Sequence, residues 1–479
     1  MIDYISQLPL QLEQRDMLEK LRPVLSAQFN HNQCCLEDTR TAILERIRAW
    51  SVALGKDPAA TLLWIYGVAG SGKSAISATL CEMLAQLGAL AGSFFCKRDI
   101  PDQRDPGRVL PSIAYTLARV YEPYRASVVN AIEAEPDITS NSLTYQLKAL
   151  FLTPFAELNE QQCAPSRPFV VVVDALDECG DDDSRTLIAK CLSQIATLAP
   201  WLKVLVTSRP LPALEQRFAS TEQSRIEVIN LNAIDVEDDI SRYTRSRLET
   251  LIGAGQLGAK WLSDDIVEKL VKKAAGLFIW TSTTMKYLQG EYLGDAAMEA
   301  VLSEDLEDDD PKASLDALYR TVLQNTRGGT SGKNLAIVKT ILGTIRITAK
   351  NRPLTMNGPH EFLPRIDGRL ELPREVLESI VKELRSVLYE DASKGNIIRA
   401  CHPSFLDFLD NPERCAEIWV HPEQLNQVMI EKCFNFMRAR LRFNICGLES
   451  SCVADADVPE LSERIKSDIP ENLQYSCLY

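Results

Sequence analysis

The sequence has few histidines, no Cys-x-x-Cys pair and no long apolar run, and each absence excludes a class of protein. It has 4 histidines and 13 cysteines in 479 residues, without a Cys-x-x-Cys spacing, so neither a zinc site nor a disulfide framework is indicated. No apolar run approaches the length of about 18 residues that crosses a bilayer, and no signal peptide opens the chain. We therefore expect a cytoplasmic protein whose cysteines are mostly reduced core residues.

The chain also lacks an excess of positive charge. It has 52 Lys and Arg against 66 Asp and Glu, a formal net charge of −14, so a nucleic-acid backbone would be repelled and nucleic acid is not an expected partner. The composition, 46% hydrophobic and 25% charged, is typical of soluble globular proteins. The length predicts about three domains.

The most informative stretch is a glycine-rich segment that follows an apolar run, Leu62 to Tyr66. Residues 67–74 read GVAGSGKS and match the phosphate-binding pattern GxxxxGK[ST], in which glycines let backbone amides approach phosphate oxygens. Lys73 would reach the β- and γ-phosphates, and Ser74 would offer its hydroxyl to Mg²⁺. The expected nucleotide-contacting residues of this loop are Gly67, Val68, Ala69, Gly70, Ser71, Gly72, Lys73, Ser74 and Ala75.

The second informative motif is acidic and follows the apolar run from Phe169 to Val173. Asp174 at the tip of that strand is the natural second ligand for Mg²⁺, although it could instead cap the next helix. Asp177 or Glu178 could orient the attacking water or be solvated acids, and we prefer Glu178 as the catalytic residue. Arg209 could sense the γ-phosphate or pair with one of the aspartates, and these alternatives are not exclusive.

Apolar strands alternate with helical patterns over the first half of the chain. Further strands are expected at residues 90–95, 203–206 and 226–231, and helices dominate from Asp235 onward. An N-terminal helix places Ile43 and Ile47 on one face, with Asp38 or Thr39 as its cap. This order predicts an α/β P-loop NTPase with a doubly wound, mainly parallel sheet.

The C-terminal half predicts helices followed by a hairpin. Apolar residues of 335–345 and of 376–387 each share a helix face, and two strands flank the turn-rich residues 391–395. This order is typical of a winged helix, and since its second helix has no basic stripe, protein packing is favoured over DNA binding. The acidic run 303–311 is expected to be a linker.

The predicted organisation has five parts. They are an N-terminal helical linker (1–56), a nucleotide-binding α/β domain (57–231), a helical lid (232–325), a winged-helix domain (326–420) and the start of a C-terminal helical region (421–479).

Three motifs in this order resemble the NACHT family of STAND NTPases, especially fungal NLR-like proteins with a nephrocystin-3-like N-terminal module. The P-loop is followed by VVVVDALDEC, similar to the family's extended Walker B motif, and by TSRP, similar to its sensor 1. CLEDTR, ending at Arg40, resembles the family's CLPGTR segment. The resemblance spans about residues 34 to 479.

The resemblance implies a signalling switch that binds ATP or ADP, with GTP as an alternative, and uses Mg²⁺. An ADP-bound closed monomer would exchange its nucleotide, form a homo-oligomer and be reset by slow Mg²⁺-dependent hydrolysis. In the family this serves immunity-like or cell-death signalling in fungi. IRACHPSFLDFL resembles the winged-helix motif whose histidine contacts nucleotide, which maps onto His402, although a lone histidine can also be structural.

The chain departs from the family at two points. Where relatives have a GxP motif that contacts adenine, this chain has Gly276-Leu277-Phe278, with Pro353 as the next candidate, so the adenine pocket is unassigned. Similar fungal proteins also continue into repeats. The chain is either a truncated product or a switch whose sensor and effector proteins lie on other chains.

The alternative function is a P-loop phosphotransferase or ATPase that acts on a small substrate, because its core would look nearly identical. No separate set of acceptor-binding residues stands out in the sequence. The switch is therefore the preferred hypothesis.

Overall fold

A computed structural model describes most of the chain. The residues it describes are 12–53, 60–161, 165, 167–218, 226–289, 294–303, 310–324, 326, 332–348, 374–391, 396–450 and 452–478. Pro353, most of the predicted acidic linker and the centre of the C-terminal turn lie outside these residues.

Five parallel strands form the central sheet, as the sequence predicts. Their bounds are β1 Leu62–Tyr66, β2 Leu90–Phe95, β3 Phe169–Asp174, β4 Leu202–Ser208 and β5 Ile226–Asn230. The strand order is β2-β3-β4-β1-β5, and every neighbouring pair is parallel. The doubly wound α/β fold is therefore confirmed.

The helices cover both faces of this sheet because its strands are apolar on both sides. In β1, Leu62 and Trp64 belong to one buried cluster, while Leu63 and Ile65 belong to another. The helices up to β5 are α1 Leu12–Glu19, α2 Thr41–Val52, α3 Lys73–Gln86, α4 Pro101–Arg104, α5 Pro106–Val120, α6 Glu122–Ala134, α7 Leu143–Leu147, α8 Thr153–Gln161, α9 Asp182–Ile195 and α10 Pro212–Phe218.

Among the residues that the structure describes, the C-terminal half is helical apart from one hairpin. Its helices are α11 Glu237–Gly253, α12 Asp264–Ala274, α13 Phe278–Leu288, α14 Gly294–Ser303, α15 Pro311–Gln324, α16 Gly332–Thr348, α17 Arg374–Glu383, α18 Pro403–Leu409, α19 Pro412–Cys415, α20 Pro422–Arg440, α21 Leu461–Asp468 and α22 Glu471–Leu478. The predicted strands pair as an antiparallel hairpin, β6 Leu388–Asp391 with β7 Ile397–Ala400.

The chain divides into two compact units. The first runs to Arg245 and includes Gly276–Ile279, and the second holds Ser246–Ala275 and the described residues from Trp280 onward. The five-part division and the winged-helix assignment stay predictions. Among the helices that the structure describes, none combines the length and the apolar character needed to cross a membrane.

The start of α2 differs from the prediction. Arg40 is the N-cap residue and its side chain makes no cap hydrogen bond, so neither Asp38 nor Thr39 caps this helix. The Thr39 hydroxyl instead donates to the Leu36 carbonyl at 2.6 Å. Asp38 and Arg40 both have left-handed backbone angles, with φ of 62° and 59°, and this turn geometry places Arg40 at the helix end.

A buried ion pair holds α15 to α19 in the second unit. Arg414 contacts Asp316 through two nitrogen atoms, with Nη2 to Oδ1 at 2.6 Å and Nε to Oδ2 at 2.8 Å. The side chain of Asp316 is only 9% exposed, and the pair raises the pKa of Arg414 above its ordinary value. Such a bidentate pair fixes the distance and the angle between two helices.

We predict that Asp316→Ala lowers the free energy of unfolding by about 3 kcal/mol, because it leaves a mostly buried guanidinium without its carboxylate. Asp265→Ala is the matched control, since it breaks an ion pair with Lys269 in which both side chains are more than half exposed and should cost less than about 0.5 kcal/mol. Urea denaturation measures both values. Equal losses in the two variants would contradict the structural role of the buried pair.

Candidate functional site

The predicted site residues meet at one edge of the parallel sheet. The P-loop follows β1, Asp174 ends β3, and Thr207 and Ser208 end β4, which lies between those two strands. The carboxyl ends of parallel strands share an edge, so residues more than a hundred positions apart in sequence become neighbours there. The first amide of the loop confirms this, because Gly67 N–H donates to the Ser208 carbonyl at 3.3 Å.

The P-loop depends on backbone conformations that favour glycine. Gly70 and Gly72 have φ values of 82° and 93°, in the left-handed region that side chains rarely adopt. A Cβ on Gly67 would lie 2.8 Å from the Ser71 hydroxyl oxygen. Gly72 is also the N-cap of α3 and offers no side-chain acceptor to the first amides of that helix. Those amides point their positive end at the loop, as an anion site requires.

The side chain of Lys73 folds back onto the P-loop that contains it. Its side chain is buried, and Nζ donates to the Gly67 carbonyl at 2.7 Å and to the Val68 carbonyl at 2.9 Å. Burial lowers the pKa of Lys73, while the nearby carboxylates of Asp177 and Asp174 act in the opposite direction. The ammonium group is thus held at the mouth of the loop by neutral acceptors, which a phosphate could replace with stronger charged ones.

Asp174 is buried and holds hydroxyl groups from two other elements. Its Oδ1 accepts from Thr207 Oγ1 at 2.6 Å and from Ser77 Oγ at 2.7 Å. Burial raises its pKa, and hydrogen bonds from Ser74, Thr207 and Ser77 oppose that rise. The structure therefore brings Ser74 and Asp174 together, although the sequence separates them by a hundred residues. Their hydroxyl and carboxylate oxygens are the hard ligands that Mg²⁺ prefers.

Asp177 and Arg209 connect the loop after β3 to the end of β4 through a hydrogen bond and an ion pair. Asp177 Oδ1 accepts from the Arg209 backbone N–H at 2.9 Å, and Oδ2 lies 3.2 Å from Arg209 Nε. The ion-pair alternative for Arg209 is therefore the arrangement in the structure, and its partner is Asp177. A carboxylate engaged in this way is poorly placed to activate water, which favours Glu178 for that role.

Glu178 lies half-buried beside the loop that follows β2. Its Oε2 accepts from the backbone N–H of Arg98 at 3.2 Å. Burial, together with the like charge of Asp177, raises the pKa of Glu178 to about 7. A carboxyl group with a pKa near physiological pH can accept a proton from water and release it again, which is the property a general base needs.

Arg40 is a site residue to which the sequence assigned no role. Its guanidinium is buried, Nη2 donates to the Ser71 carbonyl at 2.5 Å, and the group lies over the Phe278 ring, 4.8 Å from its centroid. Nε and Nη1 have no hydrogen-bond partner within the described part of the chain. Burial lowers the pKa of Arg40. The only sequence signal for this position was the CLEDTR segment.

Asn232 and Ile279 also shape the loop and were not predicted. The Asn232 side-chain oxygen accepts from Val68 N–H at 2.9 Å. Ile279 donates its backbone N–H to the Gly70 carbonyl at 3.3 Å, and a Cβ on Gly70 would clash with the Ile279 side chain. The segment Gly276–Ile279, which stands where relatives have GxP, therefore packs directly on the P-loop.

His402 lies in the second unit. Its side chain caps α18, where Nδ1 accepts from the Ser404 backbone N–H at 3.1 Å. A capping role accounts for the ring's orientation, and nucleotide contact by His402 stays a prediction.

Two comparisons of sequence place these motifs among known proteins. Residues 38–209 match the family model described as Nephrocystin 3, N-terminal, a range that contains the P-loop, Asp174 and Arg209. The vegetative incompatibility protein HET-E-1 of Podospora anserina is 22% identical over 437 residues, covering 87% of this chain. The chain spans 30% of that relative's length.

Solved structures with some similarity include a Walker-type ATPase of Pyrococcus abyssi and the Aeropyrum pernix ORC1 protein in complex with DNA. The first is 13% identical with a TM-score of 0.35 and covers 77% of this chain and 94% of its own. The second is 15% identical with a TM-score of 0.36 and covers 88% and 98%. These superpositions are loose, so the assignment rests on the sequence matches and the site.

We predict that Glu178→Gln raises the free energy of unfolding at pH 8 by about 1–2 kcal/mol and leaves it nearly unchanged at pH 5. The folded chain keeps the Glu178 proton up to about pH 7, whereas the unfolded chain loses it at the ordinary, lower pKa, so this group's contribution to stability falls as pH rises through that window. Glutamine cannot ionise and avoids the loss. Urea denaturation at both pH values measures the effect, with exposed Glu133→Gln as control. A pH-independent difference would contradict the raised pKa.

The P-loop, the acid at the tip of β3 and the residues that end β4 form one connected site, and the family match covers all three. HET-E-1 extends the similarity into the C-terminal half of the chain. The chain therefore has an α/β P-loop fold, its residues 38–209 are similar to the nephrocystin 3 N-terminal module, and its motifs are similar to those of NACHT-like STAND NTPases.

Proposed function

We propose that the chain is a nucleotide-dependent signalling switch that binds ATP or GTP with Mg²⁺, hydrolyses it slowly and changes between a closed monomer and a homo-oligomer. The observation that carries the proposal is the buried pair Lys73 and Asp174 at the mouth of a complete P-loop. Lys73 is held by neutral carbonyls, and Asp174 is hydrogen-bonded to hydroxyls of α3 and β4. A buried lysine and a buried aspartate held in this way are expected at a site that binds an anionic ligand and its cation, and not in an apolar core.

In this proposal the loop amides of residues 67–75 bind the phosphates, and Lys73 contributes the point charge. Ser74 and Asp174 would hold Mg²⁺, which supplies charge neutralisation for the phosphate oxygens when bound. Both are oxygen ligands already linked to each other. Their chemistry and their proximity fit a divalent cation with some water ligands.

Hydrolysis in this proposal depends on Glu178 as general base. Its pKa of about 7 places it between the protonated and the ionised form at cellular pH, so it can take a proton from the attacking water. Asp177 keeps Arg209 at the end of β4 through their ion pair. From there the guanidinium would respond to the presence of the γ-phosphate, since a terminal phosphate competes with Asp177 for it.

The base side of the nucleotide would be formed by Arg40 and the segment Gly276–Ile279. Two buried nitrogens of Arg40 have no hydrogen-bond partner within the described residues, and a buried donor in that state costs free energy unless a ligand satisfies it. Phe278 supplies a planar apolar surface next to the guanidinium. Residues 276–279 would then take the role that the GxP motif has in the family.

The signalling role is supported by HET-E-1, whose name describes vegetative incompatibility, and by the family's use of nucleotide state as a switch. In this proposal the ADP state is held closed by His402 and the ATP state oligomerises in the cytoplasm, with sensor or effector proteins on other chains. Because the chain matches only 30% of that relative, partners of the whole relative are not assigned here.

We predict that Lys73→Ala lowers the affinity for Mg²⁺-ADP by at least about 50-fold while the fold stays intact, because charge-assisted contacts to phosphate are worth about 2–3 kcal/mol. Isothermal titration calorimetry measures the affinity, and circular dichroism checks the fold. Lys190→Ala removes the same charge from an exposed position of α9 and should bind like the wild type. Equal affinities in all three proteins would contradict a nucleotide-binding P-loop.

We predict that a non-hydrolysable ATP analogue increases the molecular mass in solution relative to ADP, because only the triphosphate state would favour the oligomer. Size-exclusion chromatography with light scattering measures the mass, and limited proteolysis reports the change within the chain. Lys73→Ala should show neither response. A wild-type protein with the same mass and cleavage pattern in both nucleotides, once binding is established, would exclude the switch and favour a simple ATPase.

A further inference from the structure

One side of α20 in the second unit is apolar and exposed. Ile430 and Phe434 are 51% and 59% exposed, and Leu441, directly after the helix, is 51% exposed. Met437 is partly exposed between them. With about 3.6 residues per turn, these four positions fall on one side of the helix axis. They form a continuous line of apolar side chains, which we call the α20 stripe.

The α20 stripe is separate from the side of the helix that packs in the fold. Leu425, Met429 and Cys433 are buried and belong to one apolar cluster with Tyr475 of α22. They repeat every four positions along a different side of α20, and the helix packs there against α16 and α22. Packing within the described part of the chain therefore accounts for the buried side of α20 and not for the stripe.

The composition of the stripe is typical of a protein interface. Single exposed apolar residues are common on any surface, whereas several in one line mark an interaction site. Aromatic residues and methionine are enriched where protein interfaces exclude water. Phe443, which is 100% exposed, extends the same apolar surface just beyond the end of the helix.

Two charged residues beside the stripe indicate which partner fits it. Glu431 and Arg438 are exposed, and neither forms an ion pair within the described part of the chain. Both lie on the same flank of the stripe, but they are separated by about two turns, or about 10 Å, and do not reach each other. A second copy of α20 that runs antiparallel would bring its Arg438 opposite Glu431 and its Glu431 opposite Arg438. Twofold symmetry then forms the ion pair twice.

The apolar residues select the same register as the charges. When Glu431 of one copy lies opposite Arg438 of the other, Ile430 lies close to Leu441 and Phe434 lies close to Met437. The two matches agree within two residues, or about 3 Å along the helix axis. The stripe and its charged flank are therefore self-complementary, as a twofold interface between identical helices requires.

A parallel pair of the same helices would not give this match. Arg438 and Arg440 both lie in the last turn of α20, so a parallel pair would bring four positive charges together. The two helix dipoles would also point in the same direction, whereas antiparallel helices place opposite ends side by side. The charges of α20 therefore favour the antiparallel arrangement.

We propose that the α20 stripe is a homodimerisation surface, to which a second copy of this chain docks through antiparallel pairing of the two helices. A single helix pair is a small interface, so the dissociation constant is expected to be on the order of 10–100 µM. The contact needs no nucleotide and uses no P-loop residue, so it goes beyond the proposed switch. Well below this concentration the chain remains monomeric, and in an assembled oligomer the contact would join copies that are already close.

The first experiment is sedimentation equilibrium of the full chain without added nucleotide, over about 1–200 µM. We expect a monomer–dimer equilibrium in the wild type. Phe434→Asp should raise the dissociation constant at least about tenfold, because it places two like charges in the apolar contact. Leu25→Asp is the matched control, since it makes the same kind of change at a residue of the first unit that is 52% exposed, and it should dimerise like the wild type. Circular dichroism checks the fold of each variant.

The second experiment exchanges the charges beside the stripe. Glu431→Arg and Arg438→Glu each convert the two attractive pairs into repulsive ones, and each should raise the dissociation constant about fivefold. The combined variant, Glu431→Arg with Arg438→Glu, restores opposite charges between the two copies and should return to within about twofold of the wild type. This rescue reports a contact between copies, since the two residues are too far apart to pair within one helix.

The outcomes separate this inference from the proposed function. A wild-type chain that stays monomeric up to about 200 µM overturns the inference, and the stripe would then bind a different partner. Dimerisation that Phe434→Asp leaves unchanged, or a combined charge variant that is no better than the single ones, also overturns it. Lys73→Ala should dimerise like the wild type, and a dimer that disappears in this variant contradicts the α20 contact. Failure of the wild type to bind ADP in calorimetry counts against the proposed function alone.

Discussion

The buried carboxylate of Asp174 connects the three elements on which the site depends. Its Oδ1 accepts hydroxyl groups from Ser77 on α3 and from Thr207 on β4, and the next residue, Ala175, donates its N–H to the same threonine at 2.9 Å. These bonds set the register between the helix that follows the P-loop and the strand that carries the acid. If the carboxylate moved, Ser74 and the loop amides would no longer face the same point as the acid.

The same sheet edge concentrates charges that oppose each other. Lys73 and Arg209 lie near Asp174, Asp177 and Glu178, and burial moves several of their pKa values toward the neutral form. In the structure these charges are satisfied locally, by loop carbonyls for Lys73 and by Arg209 for Asp177. A phosphate with its cation would exchange these partners for stronger ones, and that exchange can couple binding to a movement of the surrounding loops.

The site is also bordered by backbone that is costly for residues other than glycine. Asp38, Arg40 and Ala175 all have positive φ angles, each with a cost on the order of 1 kcal/mol. The family motif has glycine at the position of Asp38, which matches the left-handed angle found there. Strain of this kind persists only where the surrounding contacts fix it. Here Asp38 accepts from Arg242 at its backbone carbonyl at 2.7 Å, Arg40 donates its backbone N–H to Asp239 Oδ2 at 3.1 Å, and Ala175 donates its N–H to Thr207.

The sequence determined the local features, because each depends on residues that are close together in the chain. The five strands, the glycine loop with its helix and the acid at the end of β3 follow from apolar runs and from the conformational needs of glycine. The position of Arg209 at the end of a strand was also predicted. Its pairing with Asp177 was not, because the sequence offered both Asp174 and Asp177 as partners. The tertiary structure alone brought Arg40, Asn232 and the segment Gly276–Ile279 to the loop, because no periodic pattern marks residues that meet only when distant segments pack.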